Sequence, residues 1–252
     1  MAKYSKAQWR PISINHTKGG QTSVRGLVVH IMAGTLSGTD SWFRNPAARA
    51  SSHFGTGRTG ALYQWVDTTN RAWAQANGNT AWLSIENEGK GGDSLTSAQM
   101  DRIAEVFAWV HKTYGVPLQV AKSPSGRGLG YHAMGGSGWG GHTQCPGTRI
   151  VKQLPEIVAR AKRLAKPAAP KLAPFPGAAW FKRNPRSPLV TAMGRRLVAE
   201  GCSAYSDGPG PQWTESDRRS YAKWQRKQGF GGADADGWPG AKTWSALKVP
   251  AV

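Results

Sequence analysis

A segment rich in proline and alanine interrupts this chain about two thirds of the way along its length. Residues 165–176 have the sequence AKPAAPKLAPFP, and proline lacks the backbone N–H that helices and central strands need. Such a composition is typical of a semi-rigid linker. We therefore predict two domains, residues 1–165 and 181–252, joined by a linker over residues 166–180. Each domain is long enough to bury a core of its own.

The region before the linker has the pattern of a mixed α/β domain. The apolar runs RGLVVHI (25–31) and WLSIENE (82–88) predict buried strands, and SSHFGTGRTGALYQWV (51–66) predicts a hairpin. Apolar residues at helical spacing predict helices over residues 96–114 and 150–164. Strands that alternate with helices indicate a mixed central sheet flanked by helices.

The region after the linker has the pattern of a small helical module. Residues 188–201 and 214–229 show helical spacing, and GADADGWPGAKTWSAL (232–247) predicts a loop that opens into a third short helix. The two cysteines of the chain, Cys145 and Cys202, fall in different predicted domains. A disulfide framework is therefore not expected, and Cys202 is interpreted as a small buried residue.

The chain carries a large excess of positive charge. Its 33 Lys and Arg residues against 14 Asp and Glu give a formal charge of +19, which favours polyanionic partners such as nucleic acid or an anionic cell wall. The sequence has no zinc-finger spacing, RNP signature or basic helix with heptads, so we do not expect a nucleic-acid partner. General solubility is the alternative interpretation of the charge.

Histidine and cysteine are few in this chain, which narrows the search for a metal site. A catalytic zinc ion takes about three ligands from His, Cys and carboxylate side chains. His30 ends the first apolar strand, and the glycine-rich stretch GLGYHAMGGSGWGGHTQCPG places His132, His142 and Cys145 in one loop that can wrap an ion. A core histidine and a structural buried cysteine are the alternative interpretations of these residues.

Four motifs occur in a familiar order: GLVVHIMAG, SSHFGTGRTGALYQWV, LSIENEG, and a histidine followed by TQCPG. In this order they resemble the type 2 N-acetylmuramoyl-L-alanine amidases and peptidoglycan recognition proteins, especially actinobacteriophage endolysins. The resemblance covers residues 20–165. It implies a zinc ion bound by a histidine at the end of the first strand, a second histidine, and a Cys or Asp just before a Pro-Gly turn. His30 and Cys145 match two of these positions directly.

The second histidine ligand is ambiguous. His132 lies thirteen residues before Cys145 and His142 lies three before it, whereas the spacing usual in the family falls between these values. We favour His132, because a glycine-rich insertion lengthens a loop at small entropic cost, whereas His142 would require the ligand to be re-sited on the scaffold. His142 is then expected to face the substrate near the metal.

The resemblance also implies roles for residues that do not bind the metal. Glu86 matches the glutamate that activates the attacking water, with Glu88 as the fallback on the same face of the strand. Thr143 matches the position that stabilises the oxyanion, and an ordinary loop threonine is the alternative. His53 matches a histidine near the substrate groove and is assigned to substrate binding. The chain departs from the family pattern in RAWAQAN, where Ala74 replaces a common histidine.

The C-terminal module resembles, more loosely, the peptidoglycan-binding modules at the ends of phage lysins. The resemblance rests on SYAKWQRKQGF and DGWPGAKTWSAL. Trp224, Trp238 and Trp244 could offer faces to sugars or stem peptides, although several of them are expected to be core residues, because aromatic side chains at helical spacing are more often packed.

Together these features predict a zinc-dependent endolysin that cleaves the amide between N-acetylmuramic acid and L-alanine in bacterial peptidoglycan. The alternative is a non-catalytic peptidoglycan recognition protein, and Cys145 argues against it because binding-only relatives typically lack this ligand. We expect a monomer that has no membrane insertion and that uses anionic wall polymers as a further partner. The sequence shows no apolar signal segment, so synthesis in a host cytoplasm and release through a separate holin-type pore are expected from the family.

Overall fold

The computed structural model describes residues 2–166 and 170–252. The chain divides into two compact units, Met1–Pro167 and Ala168–Val252. Residues 167–169 of the predicted linker lie outside the described residues. No helix in the described part of the chain combines the length and the apolar character needed to cross a membrane.

The first unit is built on a mixed six-stranded sheet, as the alternating pattern predicts. The strand order is β1-β5-β4-β7-β3-β8; β4 and β5 form the antiparallel hairpin, and the other neighbouring strands are parallel. A separate antiparallel pair joins β2 and β6. The strands are β1 Gln8–Trp9, β2 His16–Thr17, β3 Gly26–Val29, β4 Phe54–Thr56, β5 Leu62–Gln64, β6 Arg71–Ala72, β7 Leu83–Asn87 and β8 Gly128–Tyr131.

Two long helices cover one face of this sheet. Helix α2 (Ser97–Tyr114) begins at a capping box in which the Thr96 hydroxyl accepts from the Gln99 N–H and the Gln99 side chain accepts from the Thr96 N–H. It ends at Gly115, whose φ of 64° suits glycine. Helix α3 (Thr148–Ala165) packs beside α2, and both bury their apolar faces against the sheet. The sequence pattern therefore predicted both helices within about two residues.

The opposite face of the sheet is covered by shorter elements. Helix α1 (Leu36–Phe43) packs with Trp65 in one apolar cluster. A second cluster joins Trp82 to Trp139, whose rings meet edge to face at 5.7 Å. Because this face is not covered by a long helix, loops from several strand ends reach the sheet surface here.

The second unit is a small helical bundle. Its helices are α4 Ala178–Lys182, α5 Pro188–Ala199, α6 Glu215–Lys227 and α7 Ala241–Leu247. Trp224 and Trp244 lie in its core, whereas Trp238 is half-buried and stacks on Trp213 at 5.7 Å. Cys202 is buried in the same core, as expected.

The second half of the predicted linker is part of the second unit in the structure. The Ala173 N–H donates to the Val249 carbonyl at 2.8 Å, and the Trp244 indole N–H donates to the Ala173 carbonyl at 2.9 Å. Helix α4 then begins at Ala178. These residues belong to the second unit because a buried tryptophan N–H needs an acceptor, which this extended segment supplies.

Candidate metal centre

Three parallel neighbouring strands end at one edge of the sheet, and each delivers a polar side chain there. Val29 of β3 pairs with Ile85 of β7 and with Tyr131 of β8. The next residue on each strand is His30, Glu86 or His132, so the register alone brings these three positions side by side. Polar side chains at the carboxyl ends of parallel strands form the usual ligand site of such sheets.

The alternation of side chains along the strands decides which face these residues occupy. Leu27, Val29, Leu83 and Ile85 point into the core beneath α2 and α3, whereas Val28 packs in the cluster on the other face. His30 and Glu86, one residue beyond Val29 and Ile85, therefore project to the face that carries the loops.

The structure brings three potential metal ligands together at this edge. His30, His132 and Cys145 each offer one ligand atom, and these atoms lie within 4.8 Å of one another. The Cys145 Sγ lies 3.9 Å from the His30 Nδ1, and the two imidazole rings are 4.5 Å apart between centroids. Within the described residues this is the one cluster of its kind.

The loop that carries Cys145 is tied to the end of β8. The Ala133 N–H donates to the Cys145 carbonyl at 2.8 Å, so the residue that follows His132 anchors the cysteine. A glycine-rich connection of this length lets the chain leave the strand, turn and return to the same spot.

The surroundings of both imidazoles disfavour the charged form, which suits a metal ligand. Burial lowers the pKa of His30 well below its ordinary value, and the neighbouring His132 lowers it further. Burial also lowers the pKa of His132. The side chains are nearly inaccessible, with His30 1% and His132 5% exposed. A neutral imidazole keeps a lone pair for a cation.

Each histidine has one ring nitrogen occupied by a neighbour on the side away from the cluster. The His30 Nε2 lies 3.1 Å from the Gln75 Oε1, and the His132 Nε2 lies 2.9 Å from the Trp139 carbonyl oxygen. The Nδ1 atoms therefore remain for a metal. Two imidazoles and a thiol are a donor set that zinc accepts, and hydrogen bonds on the distal nitrogens are typical of its ligands.

Glu86 lies beside this cluster. Its Oε1 is 3.8 Å from the His30 Nδ1, and its Oε2 is buried without any hydrogen-bond partner in the described structure. Burial raises the pKa of Glu86 to about 8. Burial, followed by the Glu86 charge, raises the pKa of the Cys145 thiol to about 12. A bound cation would offset both costs, because it stabilises a carboxylate and a thiolate nearby.

The other predicted site residues lie in different surroundings. The Glu88 Oε2 accepts from the backbone N–H groups of Leu36 and Arg58, each at 3.4 Å, so Glu88 has a structural role. His142 and Thr143 are exposed in the loop before Cys145. The His142 ring lies 4.8 Å from the His132 ring and outside the three-ligand cluster.

The prediction that His53 contacts substrate is not supported by its position. The side chain has 0% exposure. Its Nδ1 lies 3.1 Å from the Ser84 hydroxyl and its Nε2 lies 3.1 Å from the Asn70 carbonyl. With both nitrogens engaged inside the unit, His53 links β4 to β7 and is closed to a ligand.

Gln75 and Trp139 were not predicted as parts of the site. Gln75 lies in the segment RAWAQAN, next to Ala74, and no feature of the sequence marks it as part of the site. Trp139 contributes its backbone carbonyl, which accepts from His132. Every residue has such a carbonyl, so the identity of the side chain could not predict this role.

The chain matches a family model and a curated relative. Residues 20–148 match the family model described as N-acetylmuramoyl-L-alanine amidase. N-acetylmuramoyl-L-alanine amidase A of Achromobacter lyticus is 29% identical over 92 residues, which are 36% of this chain and 52% of that protein. The match thus spans about half the length of this curated relative.

A solved structure shares the fold of the first unit. It is that of the Staphylococcus aureus hydrolase AmiA in complex with its ligand, with 18% identity and a TM-score of 0.53. The alignment covers 65% of this chain and 88% of the other. Since the family model spans just over half of the sequence and includes all three clustered ligands, the chain belongs to the N-acetylmuramoyl-L-alanine amidase family.

Proposed function

We propose that this protein is a zinc-dependent N-acetylmuramoyl-L-alanine amidase, which hydrolyses the amide between the lactyl group of N-acetylmuramic acid and L-alanine in peptidoglycan. The observation that carries the proposal is the juxtaposition of His30, His132 and Cys145 with the unpartnered carboxylate oxygen of Glu86. Family membership supports the substrate class.

His30, His132 and Cys145 would hold the metal in this proposal. A zinc ion held by three protein ligands polarises a carbonyl and makes water more acidic. The neutral imidazoles and the thiol supply one thiolate charge to the ion once the thiol loses its proton. Cys145 therefore favours an enzyme over a recognition protein without a metal.

Glu86 is the proposed general base and acid. Its Oε2 is free to accept a proton from the attacking water, and the same atom can return that proton to the leaving alanine nitrogen. Burial raises the pKa of Glu86, and a cation bound beside it would lower that pKa again, which favours the carboxylate that a general base requires. Thr143 is proposed to donate a hydrogen bond to the oxyanion, and exposed His142 is proposed to contact the substrate.

The second unit is proposed to bind the cell wall, with Trp238 as the candidate contact because Trp224 and Trp244 are buried in the core. On the resemblance described above, the protein would act as a bacteriolytic phage endolysin that is released through a separate pore. Its charge of +19 supports attraction to anionic wall polymers.

Digestion of purified walls tests the proposed reaction. We expect new alanine amino termini without new reducing sugar ends, and we expect chelation to abolish their release until zinc is restored. Reducing ends without amino termini would show a glycosidase. Binding to walls without either product would favour a non-catalytic recognition protein.

A further inference from the structure

Gln75 is a buried amide that contacts a proposed metal ligand. It is 1% exposed, and its Oε1 lies 3.1 Å from the His30 Nε2. Its own Nε2 donates to the Trp82 carbonyl at 3.1 Å. The proposed reaction gives this side chain no role, although a buried amide with both ends engaged is a strong constraint on its neighbours.

These two contacts fix the direction of the amide and, through it, the proton on His30. A backbone carbonyl can only accept, so the NH₂ group of Gln75 must face Trp82 and the Oε1 must face His30. An oxygen at this position accepts only from a protonated Nε2. The lone pair of the neutral imidazole is therefore left on Nδ1, the atom that faces Cys145 and Glu86.

A short turn over residues 74–79 holds Gln75 in place. The backbone N–H groups of Ala74 and Gln75 both donate to the Asn79 Oδ1, at 2.9 and 2.6 Å. In the same turn, a Cβ on Gly78 would lie 2.6 Å from the Trp139 ring, so glycine permits close packing against that indole. The Trp139 carbonyl in turn accepts from the His132 Nε2.

We propose that Gln75 is a positioning residue that fixes the Nε2–H tautomer of His30, and that the 74–79 turn orients both imidazoles for metal binding. This inference rests on the metal centre of the proposed function. Its consequence is that Gln75 governs metal affinity without touching the metal or the substrate.

Zinc affinity of the full chain, measured by competition with a chelator, tests the proposal. Gln75→Met keeps the size of the side chain but removes the acceptor, and we expect it to weaken zinc binding about 10- to 100-fold. Gln75→Glu keeps an oxygen facing His30 while losing the bond to Trp82. We expect this variant to bind zinc within about threefold of wild type. A purely structural role would weaken both variants alike.

Gln64→Met is the matched control. Gln64 is also 1% exposed, and its side chain also joins backbone groups, those of Tyr4 and Val66, but it does not contact the metal centre. We expect this variant to lose stability and retain zinc affinity. Equal zinc affinity in Gln75→Met and wild type, or equal losses in the Met and Glu variants, would overturn the proposal.

The tautomer itself can be read from the metal-free protein by ¹⁵N NMR of the His30 ring. We expect the proton on Nε2 in wild type, and a proton on Nδ1 would overturn the proposal even if Gln75→Met failed to fold. This readout does not depend on catalysis. If wild type showed the expected tautomer and bound zinc but released no alanine amino termini from walls, the proposed function would fail and the role of Gln75 would stand.

Discussion

Glu86 lies in β7 and Glu88 directly follows this strand, and the two side chains differ in their surroundings. Glu88 accepts from two backbone N–H groups, whereas the half-buried Glu86 lies beside the ligand cluster and has a buried oxygen without a partner among the described residues. Burying a carboxylate oxygen without a partner costs stability, and such groups are concentrated at functional sites. The resemblance matched Glu86 to the base with Glu88 as the alternative, and the contacts of the two side chains favour the same order.

Replacement of Glu86 by Gln tests the base directly. Since the amide has nearly the same shape but cannot accept a proton in catalysis, we expect the rate of amide hydrolysis to fall about 10²- to 10⁴-fold. Zinc content should remain at the wild-type level because Glu86 is not a proposed ligand. Loss of zinc together with activity would instead place Glu86 in the coordination sphere.

Asp40 joins the N-terminal segment, α1 and the residue after β5 through one buried carboxylate. It accepts from Arg10 at 2.7 and 3.0 Å, from Arg44 at 3.1 Å, and from the Trp65 indole at 2.7 Å. The pKa of Asp40 is held well below its usual range, mainly by the hydrogen bonds from Arg10. We expect Asp40→Asn to lower the free energy of unfolding by about 1–3 kcal/mol near neutral pH.

The stabilisation that the Asp40 carboxylate provides should decrease at acidic pH. Because the folded-state pKa is lowered, the stabilisation is complete above the unfolded carboxyl pKa of about 3.9 and declines as the pH falls towards the folded value. The difference in unfolding free energy between wild type and Asp40→Asn should therefore shrink as the pH is lowered from about 5 to 2. Urea denaturation across this range measures it, and a constant difference would contradict the assignment.

At the scale of elements, sequence periodicity predicted the long helices and the two central strands because each has an extended apolar face. It missed β8, since two of the four residues in Gly128–Tyr131 are glycines and the strand resembles the loop that follows. Close approach explains Gly128, because a Cβ there would lie 2.3 Å from the Gln119 carbonyl oxygen. The strand that delivers His132 therefore lacked the signal that identifies strands.

The packing of the 74–79 turn on Trp139 can be tested at Gly78. Gly78→Ala would place a methyl group against a buried indole, so we expect a loss of about 1–3 kcal/mol in unfolding free energy and weaker zinc binding through His132. Gly91→Ala is the matched control, because no atom lies within 4 Å of a Cβ at that glycine. Unchanged melting temperature and zinc content in Gly78→Ala would show that the contact does not position the loop.

At the scale of the whole molecule, charge is spread over both units. Residues 1–167 contain 20 Lys and Arg, and residues 168–252 contain the other 13 of the 33. Screening acts on exposed charges over about 8–10 Å at physiological salt, so we expect binding to purified walls to weaken steadily from about 0.05 to 0.5 M NaCl. Cleavage of a small soluble muropeptide should change little. Wall binding that does not change with salt would show that electrostatic attraction does not contribute to it.

Two of the three proposed metal ligands could be predicted from the local sequence. His30 follows an apolar strand and Cys145 precedes a Pro-Gly turn, so local sequence marks both positions. The choice of His132 depends on strand register, and the roles of Gln75 and the Trp139 carbonyl depend on contacts between segments far apart in the chain. Local patterns carry no information about such contacts, which is also why the buried position of His53 was not predicted.

The central claim is hydrolysis at the bond between muramic acid and alanine, and isotope labelling tests it most directly. Walls digested in H₂¹⁸O by the zinc-loaded protein should yield glycan fragments with one ¹⁸O in the lactyl carboxylate and peptides with an unlabelled, free alanine amino terminus. The Glu86→Gln variant should give neither product at a comparable rate. Formation of new reducing sugar ends, or label in carboxyl groups within the stem peptide, would contradict the account.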